Sequence, residues 1–216
     1  MTYRAPVNEI LFMMQHVGEL DRAIGDGIYP DLSIDVVHDI LEEGARFSRE
    51  VLAPINRPGD RDGAQLRDGI VTTAPGFKEA YQAWSAAGWN ALAGPPEYGG
   101  HGLPQLVNTG CVEMWNGACL AFGIAPLLTF GGVEAVAAHG CEDLKERYLG
   151  KLVAGEWTAT MNLTEPQAGS DLSGVRTRAE PCGDGSYRIF GQKIFISYGE
   201  HDLTDNIVHF VLARLR

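Results

Sequence analysis

Cysteine is scarce here, and its spacing builds nothing. The 216 residues hold four, Cys111, Cys119, Cys141 and Cys182, with no Cys-x-x-Cys step and no histidine at metal-ligand spacing. A disulfide-stapled secreted fold and a zinc site are therefore not expected, and reduced thiols fit the cytosol. Positive charge is also short. Lysine and arginine total 17 against 28 acidic residues, a net charge of −11. A general nucleic-acid binder needs excess basic charge to displace counterions, so nucleic acid is not an expected partner. An anionic ligand would need a local cluster of cations or N–H groups, since global attraction does not supply it. No uninterrupted apolar run approaches the length that spans a bilayer. The start shows no basic stretch followed by an apolar run and a small-residue cleavage site. The expectation is a soluble cytoplasmic protein with no membrane partner.

What is present is ordinary for a globular chain: 45% hydrophobic and 21% charged residues, enough to bury a sizeable core in one or two domains. The first three-quarters reads as helical. Val7 to Ile24 carries a broad apolar face and ends in the glycines and proline of Gly25 to Pro30. Asp31 or Ser33 caps a second helix, with Ile34, Val37, Leu41, Ala45 and Leu52 at helical steps and Pro54 and Pro58 closing it. Gly59 to Gly69 reads as a loop or tight hairpin. Phe77, Tyr81 and Trp84 stripe a third helix that stops near Gly88. A Gly- and Pro-rich loop then runs to Pro104, and Leu106 to Phe122, Leu127 to His139 and Asp143 to Ala154 read as three more helices.

The pattern changes after Trp157. Thr158 to Leu163, Tyr187 to Phe190 and Lys193 to Ser197 favour extended backbone, Gly183-Asp184-Gly185 is a hairpin signal, and Ile207 to Leu212 reads as a final strand. Helices followed by strands without alternation indicate an α+β fold with two regions, residues 1–156 and 157–216.

The most informative segment is Met161-Asn-Leu-Thr-Glu-Pro-Gln-Ala-Gly-Ser-Asp171. Pro166 fixes its own φ and biases Glu165 toward extended backbone. Gly169 removes a side chain where a ligand could touch backbone, and Ser170 adds a hydroxyl. Exposed N–H groups at such a turn can receive a phosphate.

This string resembles the flavin-binding signature of the acyl-CoA dehydrogenase family. Gly191-Gln-Lys-Ile-Phe-Ile-Ser197 resembles that family's second flavin-contacting strand. Gly88-Trp89-Asn90 with Pro96-Glu-Tyr-Gly-Gly-His-Gly102 is similar to a loop joining its early helices. Lys145 to Leu149 and Gly155-Glu156-Trp157 resemble the approach to its β-domain. Tyr3-Arg-Ala-Pro6 to Glu9-Ile-Leu-Phe12 is similar to the methylmercaptopropionyl-CoA dehydrogenase branch.

The resemblance implies an up-and-down α-helical domain followed by the start of an antiparallel β-barrel domain, with the family's C-terminal helical domain absent. It implies FAD as cofactor. Met161, Leu163 and Thr164 would face the flavin ring, Gly169 and Ser170 would lie along its pyrophosphate, and Ser170 would also meet the coenzyme A portion of the substrate. Phe195, Ile196 and Ser197 would supply an aromatic face and a hydroxyl, Phe195 standing where many members have tryptophan and Ser197 where many have threonine. Glu165 is assigned a local structural role, because the family's proton-abstracting glutamate lies in the C-terminal domain. No catalytic residue and no metal ligand is assigned in this chain. The implied reaction is α,β-dehydrogenation of an acyl-CoA thioester. Electrons would pass to an electron-transfer flavoprotein or similar acceptor, and the complete enzyme would be a homo-oligomer. The chain alone is expected to be inactive. The alternative is a shortened paralogue without catalysis, acting through protein contacts.

Overall fold

The computed structural model describes residues 3–215. The fold is α+β. The helices are α1 (Val7–His16), α2 (Leu20–Gly25), α3 (Ile34–Phe47), α4 (Ala53–Asp62), α5 (Phe77–Ala86), α6 (Gln105–His139) and α7 (Glu142–Val153). The strands are β1 (Gln65–Arg67), β2 (Ile70–Thr72), β3 (Thr158–Asn162), β4 (Arg178–Pro181), β5 (Tyr187–Phe190), β6 (Ile207–Val211) and β7 (Arg214–Leu215). The expected boundary at 156/157 falls in the turn between α7 and β3.

The helical core follows from apolar spacing. Ser33 caps α3, its hydroxyl accepting from the Val36 N–H at 3.3 Å, and the buried face of that helix is Val37, Leu41, Gly44, Ala45 and Phe47. Against it lies the inner face of α6, with Val107, Cys111, Met114, Trp115 and Phe122. Trp84 and Trp115 meet edge to face at 4.1 Å between centroids. The indole N–H groups of Trp84, Trp89 and Trp115 have no conventional acceptor among the described residues, and edge-on packing suits N–H donors facing aromatic rings. Each of these large side chains contributes about 1.5–3 kcal/mol by leaving water.

Several expected elements are corrected. Val7 to Ile24 is two helices, because Glu19 takes a left-handed φ of 51° just after Gly18. Pro54 and Pro58 do not close the second helix. A π-helical turn, Ser48–Leu52, follows α3 and leads into α4 without a break in the helical backbone, so Pro54 comes just after the π turn and Pro58 sits inside α4. Of the loop or tight hairpin expected at Gly59 to Gly69, the first residues are helical to Asp62 and the hairpin alternative holds for the rest. The hairpin β1–β2 follows α4, turning through Asp68 and Gly69, both left-handed, as a two-residue hairpin turn demands. The two helices expected from Leu106 to His139 are present as the two halves of α6, but the break between them lies at Cys119 and not after Phe122, and Pro126 sits inside the second half. By length and composition alone α6 is apolar enough to cross a bilayer, although Glu113, Asn116, Thr129 and Glu134 interrupt its apolar run. Here half of its apolar stretch is buried within the protein.

The strands after α7 pair in both directions, so the antiparallel expectation holds for β4–β5 only. β3 pairs with β6 in parallel (Thr158 opposite Ile207), β4 with β5 antiparallel, and β4 with β7 in parallel. Lys193 to Ser197 is not a strand. Phe195 and Tyr198 adopt φ of 59° and 51°, which interrupts an extended run, and the Ile194 N–H makes a single backbone bond to the Thr164 carbonyl at 3.0 Å.

Two features fix β3 on the helical core. The Thr129 hydroxyl of α6 donates to the Ala125 carbonyl and accepts from the Ala159 N–H of β3 at 3.2 Å. Three residues on, a Cβ at Gly132 would stand 2.6 Å from that of Ala159, so only glycine permits this approach of helix to strand. Ahead of β3, the last carbonyls of α7 and its following turn receive side-chain donors from α5 and the turn beyond it. Asn90 donates to Leu152 O at 2.5 Å, Ser85 to Ala154 O at 2.7 Å, and the Tyr81 hydroxyl to Gly155 O at 3.1 Å. Groups that would otherwise be orphaned at a helix end instead weld α7 to the core.

Candidate functional site

The segment Met161 to Asp171 leaves β3, turns through Glu165-Pro166-Gln167-Ala168 and exits past Gly169 and Ser170. Glu165 and Ala168 exchange both backbone bonds, at 2.8 and 3.0 Å. Glu165 organises everything around it. Its side chain is only 3% exposed and accepts from the N–H groups of Arg176 (2.8 Å) and Thr177 (3.0 Å), from Gln167 Nε2 (2.6 Å) and from Lys193 Nζ (2.9 Å). The Thr177, Arg176 and Lys193 donors hold its carboxyl far below the usual carboxylate range, against burial, which pushes it up. A carboxylate committed in this way is an anchor; it has neither a free lone pair nor the proton affinity of a general base.

Lys193 is the second half of the anchor. It is 9% exposed and also donates to the Leu163 carbonyl at 2.9 Å. With the Ile194–Thr164 bond, it holds the Gly191–Ser197 segment beside the Met161–Ala168 segment. Gly191 lets the chain enter: φ is 156°, and a side chain there would collide with Thr177. Sequence reasoning assigned Lys193 no role. A buried acid waiting for a cation, 28 residues upstream, was the signal.

Around this anchor the eight expected site residues divide. Leu163 and Thr164 lie half-buried against Lys193 and Ile194, and Ile196 is half-buried too. Met161 at the end of β3 is 46% exposed, and Phe195 is 88% exposed on its left-handed backbone. Phe195 is therefore no core residue. Gly169 and Ser170 are exposed beyond the turn. A Cβ at Gly169 would meet nothing within 4 Å, so neither packing nor a left-handed φ requires glycine there. Ser197 lines a cavity of about 440 Å³ with Phe77, Ala121, Ile124, Tyr198 and His201. The structure thus brings Leu163 and Thr164 together with the start of the second segment, while Gly169 and Ser170 stand apart on the loop.

Histidines under the site are structural. The His201 ring accepts from the Leu203 N–H at Nδ1, so its Nε2–H donates to the Thr158 hydroxyl at 2.9 Å. Burial pushes its pKa down, keeping the ring neutral. Tyr198 ties the Ser197 loop to α6, donating its hydroxyl to the Ala121 carbonyl at 2.6 Å, just past the break at Cys119. Among the described residues no group of three acidic, histidine or cysteine side chains is placed to hold a metal ion, and all four cysteines are free.

A helical platform, a β-strand docked on its longest helix, and two motif segments locked by a buried ion pair define the class. The family model of the acyl-CoA dehydrogenase N-terminal domain matches residues 37–156, and the chain belongs to the acyl-CoA dehydrogenase family. Over 214 residues it is 47% identical to the 3-methylmercaptopropionyl-CoA dehydrogenase of Ruegeria pomeroyi, covering 99% of this chain and 36% of that protein. The structure is similar to butyryl-CoA dehydrogenase from Megasphaera elsdenii, with a TM-score of 0.68 and 27% identity over 84% of this chain and 45% of that one. It is also similar to an acyl-CoA dehydrogenase complexed with FAD from Bacillus anthracis, with a TM-score of 0.66 and 25% identity over 87% of this chain and 30% of that one. The chain spans 30–45% of the length of these relatives.

Proposed function

We propose that this chain supplies the helical platform and part of the flavin-holding face of an FAD-dependent acyl-CoA dehydrogenase. The observation that carries the reading is the Glu165–Lys193 pair, which sets the two motif segments side by side, with Met161 half-exposed and Phe195 exposed beside it. The residues fit FAD. Phe195 offers an exposed aromatic face and Met161 a polarizable one. Thr164 and Ser197 carry hydroxyls on the adjoining segments, and Gly169 leaves backbone open beside Ser170 for a pyrophosphate or the coenzyme A portion of a substrate. Bound FAD would supply the oxidant for α,β-dehydrogenation of an acyl-CoA thioester, accepting hydride from the β-carbon.

The acyl group we propose is a short thioether chain, as in methylmercaptopropionyl-CoA; the 47% identity to an enzyme of that name supports it. The remaining proposals are an electron-transfer flavoprotein as acceptor, a homo-oligomeric enzyme, cytoplasmic residence and a region boundary at 156/157. Removal of the α-proton needs a positioned acceptor, and Glu165 is already engaged as the anchor. The resemblance to the family, whose proton-abstracting glutamate lies in the C-terminal domain, supports an acceptor outside residues 1–216, and the chain alone is expected not to turn over.

The test is a titration of purified chain with FAD, read by visible absorbance, followed by an acceptor-reduction assay with a panel of acyl-CoA thioesters. At most a weak spectral perturbation of FAD by the chain alone, without thioester-dependent turnover, is the expected result. No perturbation, including with an intact relative present to supply missing contacts, would favour a protein-contact module instead. Sustained turnover by the chain alone would show that the base has been misplaced.

A further inference from the structure

We propose that the joint between the start of α6, the Trp89–Ala91 turn and the end of α7 binds one ordered water molecule, which donates its two hydrogens to the side-chain oxygens of Asn90 and Asn108. Both asparagines are deeply buried, at 3% and 6% exposure, and each Oδ1 is without a partner among the described residues. Both line the same small cavity, about 20 Å³, with Gln105, Phe130, Val133 and Glu134.

The orientation of each amide is set by groups that can only accept. Asn90 Nδ2 must face the Leu152 and Val153 carbonyls, at 2.5 and 3.4 Å, so its oxygen points the other way. Gln105 Nε2 must face the Glu134 carboxylate at 2.5 Å, so Gln105 Oε1 is the acceptor for Asn108 Nδ2 at 3.3 Å. That leaves Asn108 Oδ1 unmatched as well. Turning either amide over would trade one unmet acceptor for a clash of like groups. The joint therefore has two acceptors and lacks two donors. Buried polar atoms are seldom left so.

Size and donor count name the ligand. A cavity needs roughly 10–15 Å³ to hold a water, and a buried water typically makes two to four bonds. Buffer ions are too large. A metal cation would seek about six oxygens, whereas the buried oxygens of this cavity without a partner among the described residues are the two of Asn90 and Asn108. The water completes a continuous chain from Glu134 through Gln105, Asn108 and Asn90 to the last carbonyls of α7. That chain ties the start of α6 to the helix end from which β3 departs.

The test is a high-resolution crystal structure of the protein, from crystals grown in lithium salts and from a second set soaked in rubidium. A single peak at about 2.7–3.1 Å from both oxygens, without anomalous signal after rubidium, is expected. In solution, the side-chain amide protons of Asn90 and Asn108 should show dipolar cross-peaks to a long-lived water. A dry cavity, a rubidium peak, a reoriented amide meeting a protein donor, or absence of those cross-peaks would each overturn the assignment.

Discussion

The weld between α7 and the core yields a sharp stability prediction at Tyr81. Tyr81→Phe removes one oxygen and nothing else. The ring keeps its contact with Phe122, at 6.5 Å between centroids, and the residue is 1% exposed. The Gly155 carbonyl then loses its 3.1 Å bond at a buried position. Leaving a buried acceptor unmet costs about 1–3 kcal/mol. The bond is longer than the usual 2.7–2.8 Å for O–H···O, which places the loss near the low end, about 1–1.5 kcal/mol.

Ser85→Ala is the control. It removes a shorter bond, 2.7 Å, to a carbonyl that water can reach, and should cost no more than about 0.5 kcal/mol. Urea unfolding followed by the fluorescence of the buried tryptophans Trp84 and Trp115 reads both. For a chain of this size the Tyr81→Phe loss corresponds to a midpoint lower by about 2–6 °C. Bond length and burial rank the two variants in opposite orders. A larger loss for Ser85→Ala, or none for Tyr81→Phe, would refute the argument from burial.

Three further outcomes follow from the site. Hydrogen bonding and the Lys193 cation depress the folded pKa of Glu165 below its unfolded value, so its contribution is complete above the ordinary glutamate range and is lost as pH falls through the folded value; Glu165→Gln should lower stability at neutral pH and flatten that acid limb in midpoint-against-pH curves. Gly169→Val should leave the melting midpoint within the scatter of surface changes, because its Cβ meets nothing, yet abolish flavin binding in a complete version of the enzyme; retained FAD there would move Gly169 away from the cofactor. Tyr198→Phe frees the Ser197 loop from the Ala121 carbonyl and should weaken FAD about 2–10-fold, the worth of one hydrogen bond, whereas unchanged affinity would mean that the loop is held by other contacts.

How far the sequence could be read depended on the range of the interaction. Val37, Leu41 and Ala45 recur at steps a helix repeats locally, and Asp68-Gly69 announces its turn within two residues, so such elements are legible without knowing their neighbours. Pro54 and Pro58 misled because a π-helical turn shifted the register ahead of them, and nothing local marks where such a turn will fall. The break at Cys119 is invisible for a similar reason: the Tyr198 hydroxyl meets the Ala121 carbonyl beside it from 77 residues away. Lys193 to Ser197 has the composition of a strand, but composition does not supply a ladder partner, and the left-handed backbone at Phe195 turns its ring outward. The site shows the same division. Its motif was legible as a string, including the open backbone at Gly169, whereas its geometry rests on Glu165 finding Lys193 and the N–H groups of Arg176 and Thr177. Read alone, a glutamate before a proline in such a motif invites assignment as a base. By resemblance Glu165 instead has a local structural role, and the four donors converging on its buried carboxylate are the physical basis of that role.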